Sequence, residues 1–422
     1  MTPFQIMAVT VCLVINMLDG FDVLAISFTA PEIAREWSVA PTTLGVLFSA
    51  GLAGMVLGAL FIAPLADRYG RRLIIILCLI VISAGMLASA ATQSVTQLAA
   101  MRVLTGLGVG GMLASLNTMV AEYSSDRRRQ FAISVLQVGY PVGSIIAGVV
   151  AAYLIPAFGW RAVFIVGGAL SALMLPMVFW RLPESLDFLL SRRAPDSLSR
   201  ANDLLRRLGH EPLSELPEAA TAAVVGSTRV TDVFSEQLRV KTISIWICYF
   251  MVMFCWYFAV NWTPKILVDA GLSLEQGISG GLLLNIGGVI GALLLGALAA
   301  RWRVNRLVSI YMALGAAAMM AFGFAGSGLA LPMSIAFLIG FFIVGSMVGL
   351  YTIVPEIYPA ALRTTGTGWA IGVGRFGAVA GPYLAGLLIA QGWERPQYYF
   401  VLALPLFISM IAVMRLRARP AL

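Results

Sequence analysis

The chain has 422 residues, of which 60% are hydrophobic and 11% are charged, and its mean hydropathy is +0.91. Ordinary soluble domains carry roughly 25% charged residues, so this composition excludes a soluble protein and indicates an integral membrane protein. The formal net charge of +8 is expected to reflect basic loops beside anionic lipid, and it does not require a nucleic-acid partner.

Twelve apolar runs are long enough to cross a bilayer, which takes about 20 residues of helix. They cover residues 4–30, 43–66, 72–91, 95–122, 131–154, 161–180, 241–264, 276–300, 305–326, 331–355, 364–390 and 397–415. A polar segment divides them six and six. The sequence therefore predicts an all-α membrane protein with an N-terminal six-helix bundle (1–180), a cytoplasmic linker loop with short amphipathic helices (181–240) and a C-terminal six-helix bundle (241–422).

The positions of the 28 lysines and arginines predict the orientation, because basic loops resist translocation. Most of them fall in loops on one side of the membrane if the N-terminus is inside. Both termini are therefore predicted to be cytoplasmic. No basic stretch precedes the first apolar run, which is too long for a signal-peptide core, so we expect no cleavage.

Cysteine and histidine positions argue against metal chemistry. The four cysteines lie in apolar runs without metal-ligand spacing, which favours structural thiols over disulfides or a zinc site. They are Cys12, Cys78, Cys248 and Cys255. The single histidine, His210, lies in the polar linker, so a histidine proton relay inside the membrane is excluded. Since no nucleophile, metal cluster or nucleotide loop is recognisable either, we expect neither an enzyme nor a cofactor.

The two halves of the chain repeat. Glu122 and Arg129 are seven positions apart, and Glu356 and Arg363 repeat this spacing 234 positions later. The same offset aligns a glycine of the fourth run with one of the tenth, and an offset of 233 aligns glycines of the second and eighth runs. Duplicated halves of six helices are typical of secondary transporters, whose site lies near the midplane between the halves.

Asp19 and Asp22 are the only acidic or basic side chains in the first 31 residues. One interpretation ends helix 1 near Asn16 or Met17 and places both carboxylates at the outer interface. Against it, the sequence stays apolar after Asp22, so both would lie near mid-depth. Their i, i+3 spacing puts them on one helix face, and Gly20 between them allows close backbone approach or local unwinding. Two such carboxylates cannot both ionise cheaply in a poorly hydrated cavity, so at least one should have a raised proton affinity.

Two arginines lie inside predicted membrane helices. Arg102, about two turns into the fourth, must be paired because an isolated guanidinium in hydrocarbon is costly. It either forms a permanent salt bridge with Asp19 or Asp22, or is shared between these aspartates and a substrate carboxylate. Arg375, in the eleventh, either packs near the glycines of that helix or anchors a substrate carboxylate, which fits the two-donor fork of arginine.

An aromatic stripe at helical spacing runs along the seventh apolar run. Together with two aromatic residues of the eleventh and fifth runs, it offers flat walls for a ring-bearing ligand. The candidate wall residues are Phe254, Tyr257, Asn261, Trp369 and Tyr140. Packing or anchoring at the membrane interface is the alternative role for such side chains.

Several motifs resemble one known family. GALFIAPLADRYGRR (58–72) resembles the signature loop between helices 2 and 3 of the major facilitator superfamily, and RVLTGLGVGG resembles the arginine and glycine pattern of its fourth helix. DGFD in helix 1, PESLDFLL after helix 6 and GWAIGVGRFGAVAGP in helix 11 are similar to its aromatic acid:proton symporter branch. The resemblance implies the major facilitator fold and a proton-coupling role for the DGFD pair.

The resemblance also implies a cytoplasmic gate that ties helix ends together, although plain solvation of a loop is the alternative. The candidate gate residues are Asp67, Arg68, Gly70, Arg71, Arg72, Arg129, Glu356 and Arg363. The second half departs from the pattern, because Ala300 stands where Asp67 falls in the first half. The proton-coupling candidates are Asp19, Asp22, Arg102 and Glu122.

We therefore expect a monomer of the inner membrane that imports a small aromatic carboxylate, similar to benzoate or hydroxybenzoate, together with protons. Transport would follow alternating access and be driven by the proton gradient, without a cofactor. Three alternatives stay open from the sequence: a proton-coupled exporter of drugs or metabolites, a sensor that binds aromatic acids without transport, and a symporter of another organic acid such as nicotinate, shikimate or a dicarboxylate.

Overall fold

The computed structural model describes residues 2–125, 128–191, 197–208, 211–214, 230–299, 301–326, 328–359 and 362–416. His210 and Ala300, which entered the sequence analysis, lie outside these ranges, and so does much of the predicted linker. The described part of the chain is helical throughout, apart from short turns and connections.

Fifteen α-helices follow one another in these ranges. They are α1 Pro3–Trp37, α2 Pro41–Leu57, α3 Leu65–Tyr69, α4 Arg71–Ala90, α5 Val95–Tyr123, α6 Arg129–Phe158, α7 Arg161–Arg181, α8 Leu186–Ser191, α9 Ser197–Leu208, α10 Arg239–Asp269, α11 Leu274–Ala299, α12 Val304–Phe324, α13 Ala330–Ile357, α14 Arg363–Ala390 and α15 Arg395–Arg415. All but α3, α8 and α9 are long and apolar enough to span a membrane. The predicted twelve spans are confirmed, and α8 and α9 supply the short helices expected in the linker.

Helix boundaries differ from the prediction in two informative places. Helix α1 runs without interruption past Asp22 to Trp37, so the interpretation that ended it near Asn16 or Met17 is wrong. Helix α2 ends earlier than predicted, since it passes into one π-helical stretch at Gly58–Ile62 and then bends before α3. Pro64 lies at this bend, where its missing backbone N–H costs no helical hydrogen bond.

Large apolar side chains are exposed along the spanning helices. Phe131 is 71% exposed, Leu173 is 69% exposed and Trp180 is 78% exposed. Apolar surface of this extent is unfavourable in water and suited to lipid. The outward faces of the helices therefore support the membrane setting that the composition predicts.

The described contacts group the chain into two compact units. Unit 1 contains Met1–Val23, Ala53–Ile146 and Arg161–Val224, and unit 2 contains Leu24–Leu52, Ala147–Trp160 and Val225–Leu422. The units divide α1, α2 and α6, each of which contributes one end to unit 1 and the other to unit 2. The predicted boundaries at residues 181 and 240 follow chain order and stay a prediction.

The internal repeat of the sequence is also visible in how the helices pack. In unit 1, a Cβ added at Gly58 on α2 would collide with the backbone carbonyl of Leu107 on α5. In unit 2, a Cβ added at Gly291 on α11 would collide with the carbonyl of Phe341 on α13. Gly58 and Gly291 are the two glycines that the offset of 233 positions aligns. Small residues at such positions let helix backbones approach closely in lipid. The duplication seen in the sequence thus extends to the register in which the helices cross.

Unit 2 also joins the second part of α1 and the first part of α2 to helices of the C-terminal half. The Ser27 hydroxyl donates to the amide oxygen of Asn261 at 2.7 Å, and the Ser49 hydroxyl donates to the carbonyl of Val379 at 2.7 Å. Gly45 lies against the backbone of α14 at Pro382. These buried hydrogen bonds fix α1 and α2 to α10 and α14 at this end of the helices.

Candidate functional site

Helix α1 carries the acid pair into the interior of unit 1. Asp19 is 2% exposed and Asp22 is 3% exposed. Gly20 lies directly against the backbone of Tyr140 on α6, where any side chain would clash. The glycine therefore serves close packing, and the local unwinding considered as its other role does not occur in this helix.

Arg102 on α5 is buried and paired with Asp22. Its Nη1 donates to Oδ1 of Asp22 at 2.9 Å. Its Nη2 donates to the hydroxyl of Ser89 at 3.0 Å and lies 3.2 Å from the sulfur of Met86. The guanidinium also lies over the ring of Phe164, with Cζ 4.8 Å from the centroid. The structure therefore contains the salt bridge that one alternative predicted, and both terminal nitrogens have partners within unit 1.

Asp19 differs sharply from Asp22. No hydrogen bond or ion pair involves its side chain within the described residues, and its Oδ2 is buried without a donor. A buried polar atom without a partner is costly, and a buried charge without compensation is costlier. The two predicted proton-coupling aspartates thus occupy unlike environments, one compensated by a cation and one not.

A second polar network lies in unit 1 at the junction of α3 and α4, and we call Arg71, Glu122, Glu184 and Ser185 the junction network. Arg71 forms an ion pair with Glu122 and donates to the Ser185 hydroxyl at 2.6 Å. Ser185 in turn donates to Oε2 of Glu122 at 2.7 Å. Glu122, which was predicted to couple protons, therefore has a cation and a hydroxyl as partners, and its coupling role stays a prediction.

Glu184 caps the start of α4. Its Oε1 accepts from the backbone N–H groups of Arg71 at 2.9 Å and Arg72 at 3.0 Å. A carboxylate is favourable here because the first N–H groups of a helix are otherwise unpaired and carry partial positive charge. Gly70 has φ +105°, a backbone conformation that favours glycine, and a Cβ at this position would collide with the carboxylate of Glu184. Both facts explain why the motif has a glycine here. Neither Glu184 nor Ser185 was singled out from the sequence, although PESLDFLL contains both.

The remaining gate candidates of unit 1 make weaker contacts. The side chain of Asp67 is 82% exposed and lies 3.9 Å from Nη2 of Arg71. Arg68 lies over the aromatic ring of the next residue, and Arg72 donates to the carbonyl of Phe179. An exposed ion pair such as Asp67–Arg71 contributes little to stability.

Arg129 and Arg363 occupy equivalent positions in the two halves and make equivalent bonds. Nε of Arg129 donates to the carbonyl of Ala121 at 3.1 Å, and Nε of Arg363 donates to the carbonyl of Pro355 at 3.0 Å. Each arginine thereby satisfies a carbonyl near the end of the preceding membrane helix. Glu356 is exposed and lines, with Arg363, a cavity of about 700 Å³ in unit 2.

Arg375 on α14 is the second intramembrane arginine and lies in unit 2. It is half-buried, and no hydrogen bond or ion pair involves its guanidinium within the described part of the chain. The preceding residue, Gly374, packs on Tyr249 of α10, and Gly381 packs on the backbone of Phe254. Helix α14 thus uses its glycines to approach α10, and beside this contact it carries a cation that has no anionic partner among the described residues.

Aromatic side chains of α10 and α14 pack in the same unit as Arg375. Phe254 is buried and stacks on Phe250 with centroids 6.4 Å apart. Trp369 is 43% exposed and stacks on Trp246 at 6.1 Å with an interplanar angle of 21°. Tyr257 is half-buried. The predicted aromatic wall residues on these two helices therefore occur in the same unit as Arg375.

Asn261 and Tyr140 are placed differently. The amide of Asn261 is buried and occupied, since it accepts from Ser27 and donates to the carbonyl of Tyr257 at 2.7 Å. Tyr140 lies in unit 1 against Gly20. Asn261 thus lies in a helix–helix contact, and its role as a substrate ligand stays a prediction.

The described residues form twelve helices long enough to span a membrane in a duplicated arrangement, with buried charged residues in unit 1 and a half-buried arginine in unit 2. These features define a secondary membrane transporter as the class of this protein. The Major Facilitator Superfamily model matches residues 12–373. The chain belongs to the major facilitator superfamily and, within it, to the aromatic acid branch. It is a multi-pass protein of the inner membrane and a transporter, not an enzyme.

The relatives support this placement over nearly the whole chain. The chain is 33% identical to a gallate transporter of Pseudomonas putida, covering 99% of this chain and 94% of the relative. It is 32% identical to a 4-hydroxybenzoate transporter of Pseudomonas aeruginosa, covering 98% and 93%. Among solved structures, a bacterial homologue of the human lysosomal transporter Spinster matches with a TM-score of 0.75 at 17% identity over all of both chains. The last likeness concerns the fold alone.

Proposed function

We propose that this protein imports an aromatic carboxylate together with protons by alternating access. The observation that carries the proposal is Arg375, a half-buried guanidinium in a membrane-spanning helix without an anionic partner among the described residues. A cation in that position is costly unless a ligand compensates it. An anionic substrate supplies the compensation.

The chemistry around Arg375 favours a ring-bearing acid. Arginine offers two parallel N–H donors that match a carboxylate, and the aromatic faces of Trp369 and Tyr257 lie in the same unit. The relatives in Pseudomonas are named for gallate and 4-hydroxybenzoate, and each of these ligands is a carboxylate on a hydroxylated benzene ring. We assign the same class of substrate to this chain.

The aspartate pair is the proposed proton site. Asp22 already has Arg102 as a compensating cation, whereas Asp19 has none within the described residues. A proton is then the charge-neutralising partner left to Asp19. Protonation of Asp22 would also release Arg102 from its ion pair. In this proposal, proton binding within unit 1 is required for substrate transport.

Coupling follows from the cost of buried charge. An uncompensated charge inside the membrane costs several kcal/mol, so the conformational change is favoured only when carboxylate and protons are both bound. The contacts of Ser27 with Asn261 and of Ser49 with Val379 join N-terminal helices to C-terminal ones. We infer that they form on the outer side when the site opens inward and break when it opens outward.

Uptake into proteoliposomes tests the proposal. Labelled gallate, 4-hydroxybenzoate and benzoate should accumulate under an imposed inward proton gradient, and a protonophore should abolish the accumulation. Protein-free liposomes under the same gradient measure passive entry of the protonated acids. Accumulation that equals the protein-free control for all three acids would contradict the proposed function, and loss of preloaded acid would indicate export.

A further inference from the structure

Unit 2 contains three phenols on two helices near α14, which carries Arg375: Tyr249 and Tyr257 on α10 and Tyr351 on α13. The rings of Tyr249 on α10 and Tyr351 on α13 meet edge to face, with centroids 5.6 Å apart and an interplanar angle of 67°. Tyr351 also lies within electrostatic range of Arg375 and Tyr257. Gly374, next to Arg375, packs against the backbone and Cβ of Tyr249. Tyr351 thus links the arginine to both tyrosines of α10.

The hydroxyl groups of this cluster lack partners. Tyr249 is 0% exposed, and its hydroxyl makes no hydrogen bond. Tyr351 is 38% exposed, and within the described residues its hydroxyl has no hydrogen-bond partner either. A buried hydroxyl without a partner costs about 1–3 kcal/mol, a cost that applies to Tyr249 and not to the exposed Tyr351. A ligand that enters beside Arg375 would remove this cost.

An unpaired phenol is not sufficient evidence for a ligand site, as Tyr311 illustrates. Its hydroxyl is also buried without a partner, but its ring packs between Phe341 and Phe342. Tyr351 differs because it lies within electrostatic range of Arg375, which has no anionic partner among the described residues, and Tyr249 contacts both Tyr351 and the glycine next to Arg375. The guanidinium selects a carboxylate, and a phenol matches a ring hydroxyl, which both donates and accepts.

We propose that Tyr249 and Tyr351 recognise a hydroxyl group on the ring of an aromatic acid whose carboxylate pairs with Arg375. The inference rests on the proposed function and names two residues that determine its specificity. The protein should therefore bind hydroxylated benzoates more tightly than benzoate, because benzoate leaves both phenols unpaired.

Calorimetric titration of the purified full-length protein in detergent, with 4-hydroxybenzoate and with benzoate, measures this preference without requiring transport. Wild-type protein should bind 4-hydroxybenzoate roughly three- to tenfold more tightly, the equivalent of one hydrogen bond. Tyr351→Phe and Tyr249→Phe should each lower the affinity for 4-hydroxybenzoate and leave that for benzoate unchanged. Tyr311→Phe removes an equally buried phenol elsewhere in the unit and should alter neither.

The outcomes separate the two proposals. Equal affinities for the two acids in the wild-type protein would overturn the proposed hydroxyl subsite. Equal losses of affinity for both acids in Tyr351→Phe would also overturn it, because they would mean that the phenol contacts the carboxylate and not the ring hydroxyl. Uptake of aromatic acids combined with either result would leave the proposed function intact. A wild-type protein that neither binds nor accumulates any aromatic acid would overturn both. Melting temperatures of all variants should match the wild type, and the wild-type preference tests the subsite independently of any variant.

Discussion

The two intramembrane arginines of this chain differ in almost every respect. Arg102 in unit 1 is 2% exposed, paired with Asp22 and surrounded by Ser89, Met86 and Phe164. Arg375 in unit 2 is half-buried and has no anionic partner among the described residues. One cation is compensated by the protein itself, and we propose that a ligand compensates the other.

An intramembrane charge by itself therefore does not identify a substrate site. A compensated guanidinium can stabilise the fold or respond to protonation of its partner, whereas an uncompensated one is costly until a ligand binds. Asp22 and Asp19 differ in the same way within one helix face. The following variants test whether each charge behaves as its surroundings predict.

Replacing the paired arginine should have the largest effect on stability. Arg102→Met would leave the buried carboxylate of Asp22 without compensation and should lower stability by about 3–5 kcal/mol. Thermal unfolding in detergent measures the change. The double variant Arg102→Met with Asp22→Asn removes both charges and should recover much of the loss. A single variant that melts at the wild-type temperature would mean that the ion pair does not support the fold.

Neutralising the two aspartates should separate coupling from stability. Asp19→Asn should abolish accumulation of acid driven by a proton gradient while leaving the melting temperature unchanged, because Asp19 compensates no cation. Asp22→Asn should abolish accumulation and also lower the melting temperature, because it leaves Arg102 unpaired. Uptake into proteoliposomes and thermal unfolding measure the two effects. Accumulation at the original level in Asp19→Asn would refute its role as a proton site.

Changing the unpaired arginine should affect binding but not folding. Arg375→Lys keeps the charge and loses the planar fork, so affinity for an aromatic carboxylate should fall roughly tenfold to a hundredfold. Arg375→Met should abolish binding and melt no lower than the wild type. Calorimetric titration measures the affinity of both variants. Unchanged affinity in Arg375→Lys would remove Arg375 from the substrate site.

The junction network should show the smallest effect. Glu184→Ala removes the cap from the first N–H groups of α4 and should lower stability by about 1 kcal/mol. Asp67→Asn is the matched control, because that carboxylate is exposed and its contact with Arg71 is long; its melting temperature should stay unchanged. Equal melting temperatures for both variants would argue that Glu184 does not hold the helix start.

Much of this architecture could be predicted from the sequence because it depends on local patterns. Apolar length determines the twelve spans, and the apolar residues after Asp22 predict a helix 1 that continues past the pair. The i, i+3 spacing of the aspartates and the repeat offset of 234 positions likewise need no tertiary information. Helix α2 was predicted too long, since hydropathy does not register the π-helical stretch and bend that follow Leu57.

The partners of individual side chains could not be predicted, because they depend on how distant helices rotate against each other. Asn261 lies in an aromatic stripe and was assigned to the substrate, yet its amide bonds to Ser27, 234 positions away. Glu184 caps a helix that begins 113 residues earlier. Tyr351 belongs to no pattern at all in the sequence. Only the three-dimensional arrangement relates it to Arg375.

The central claim is that Asp19 and Arg375, neither of which has an oppositely charged partner among the described residues, bind the proton and the anion that move together. Proton movement during acid uptake tests it most directly. Adding 4-hydroxybenzoate to wild-type proteoliposomes should make the outer medium more alkaline as label enters, beyond the change seen in protein-free liposomes. Asp19→Asn should bind the acid without moving protons. Acid uptake without proton movement in the wild type, or undiminished proton movement in Asp19→Asn, would contradict the claim.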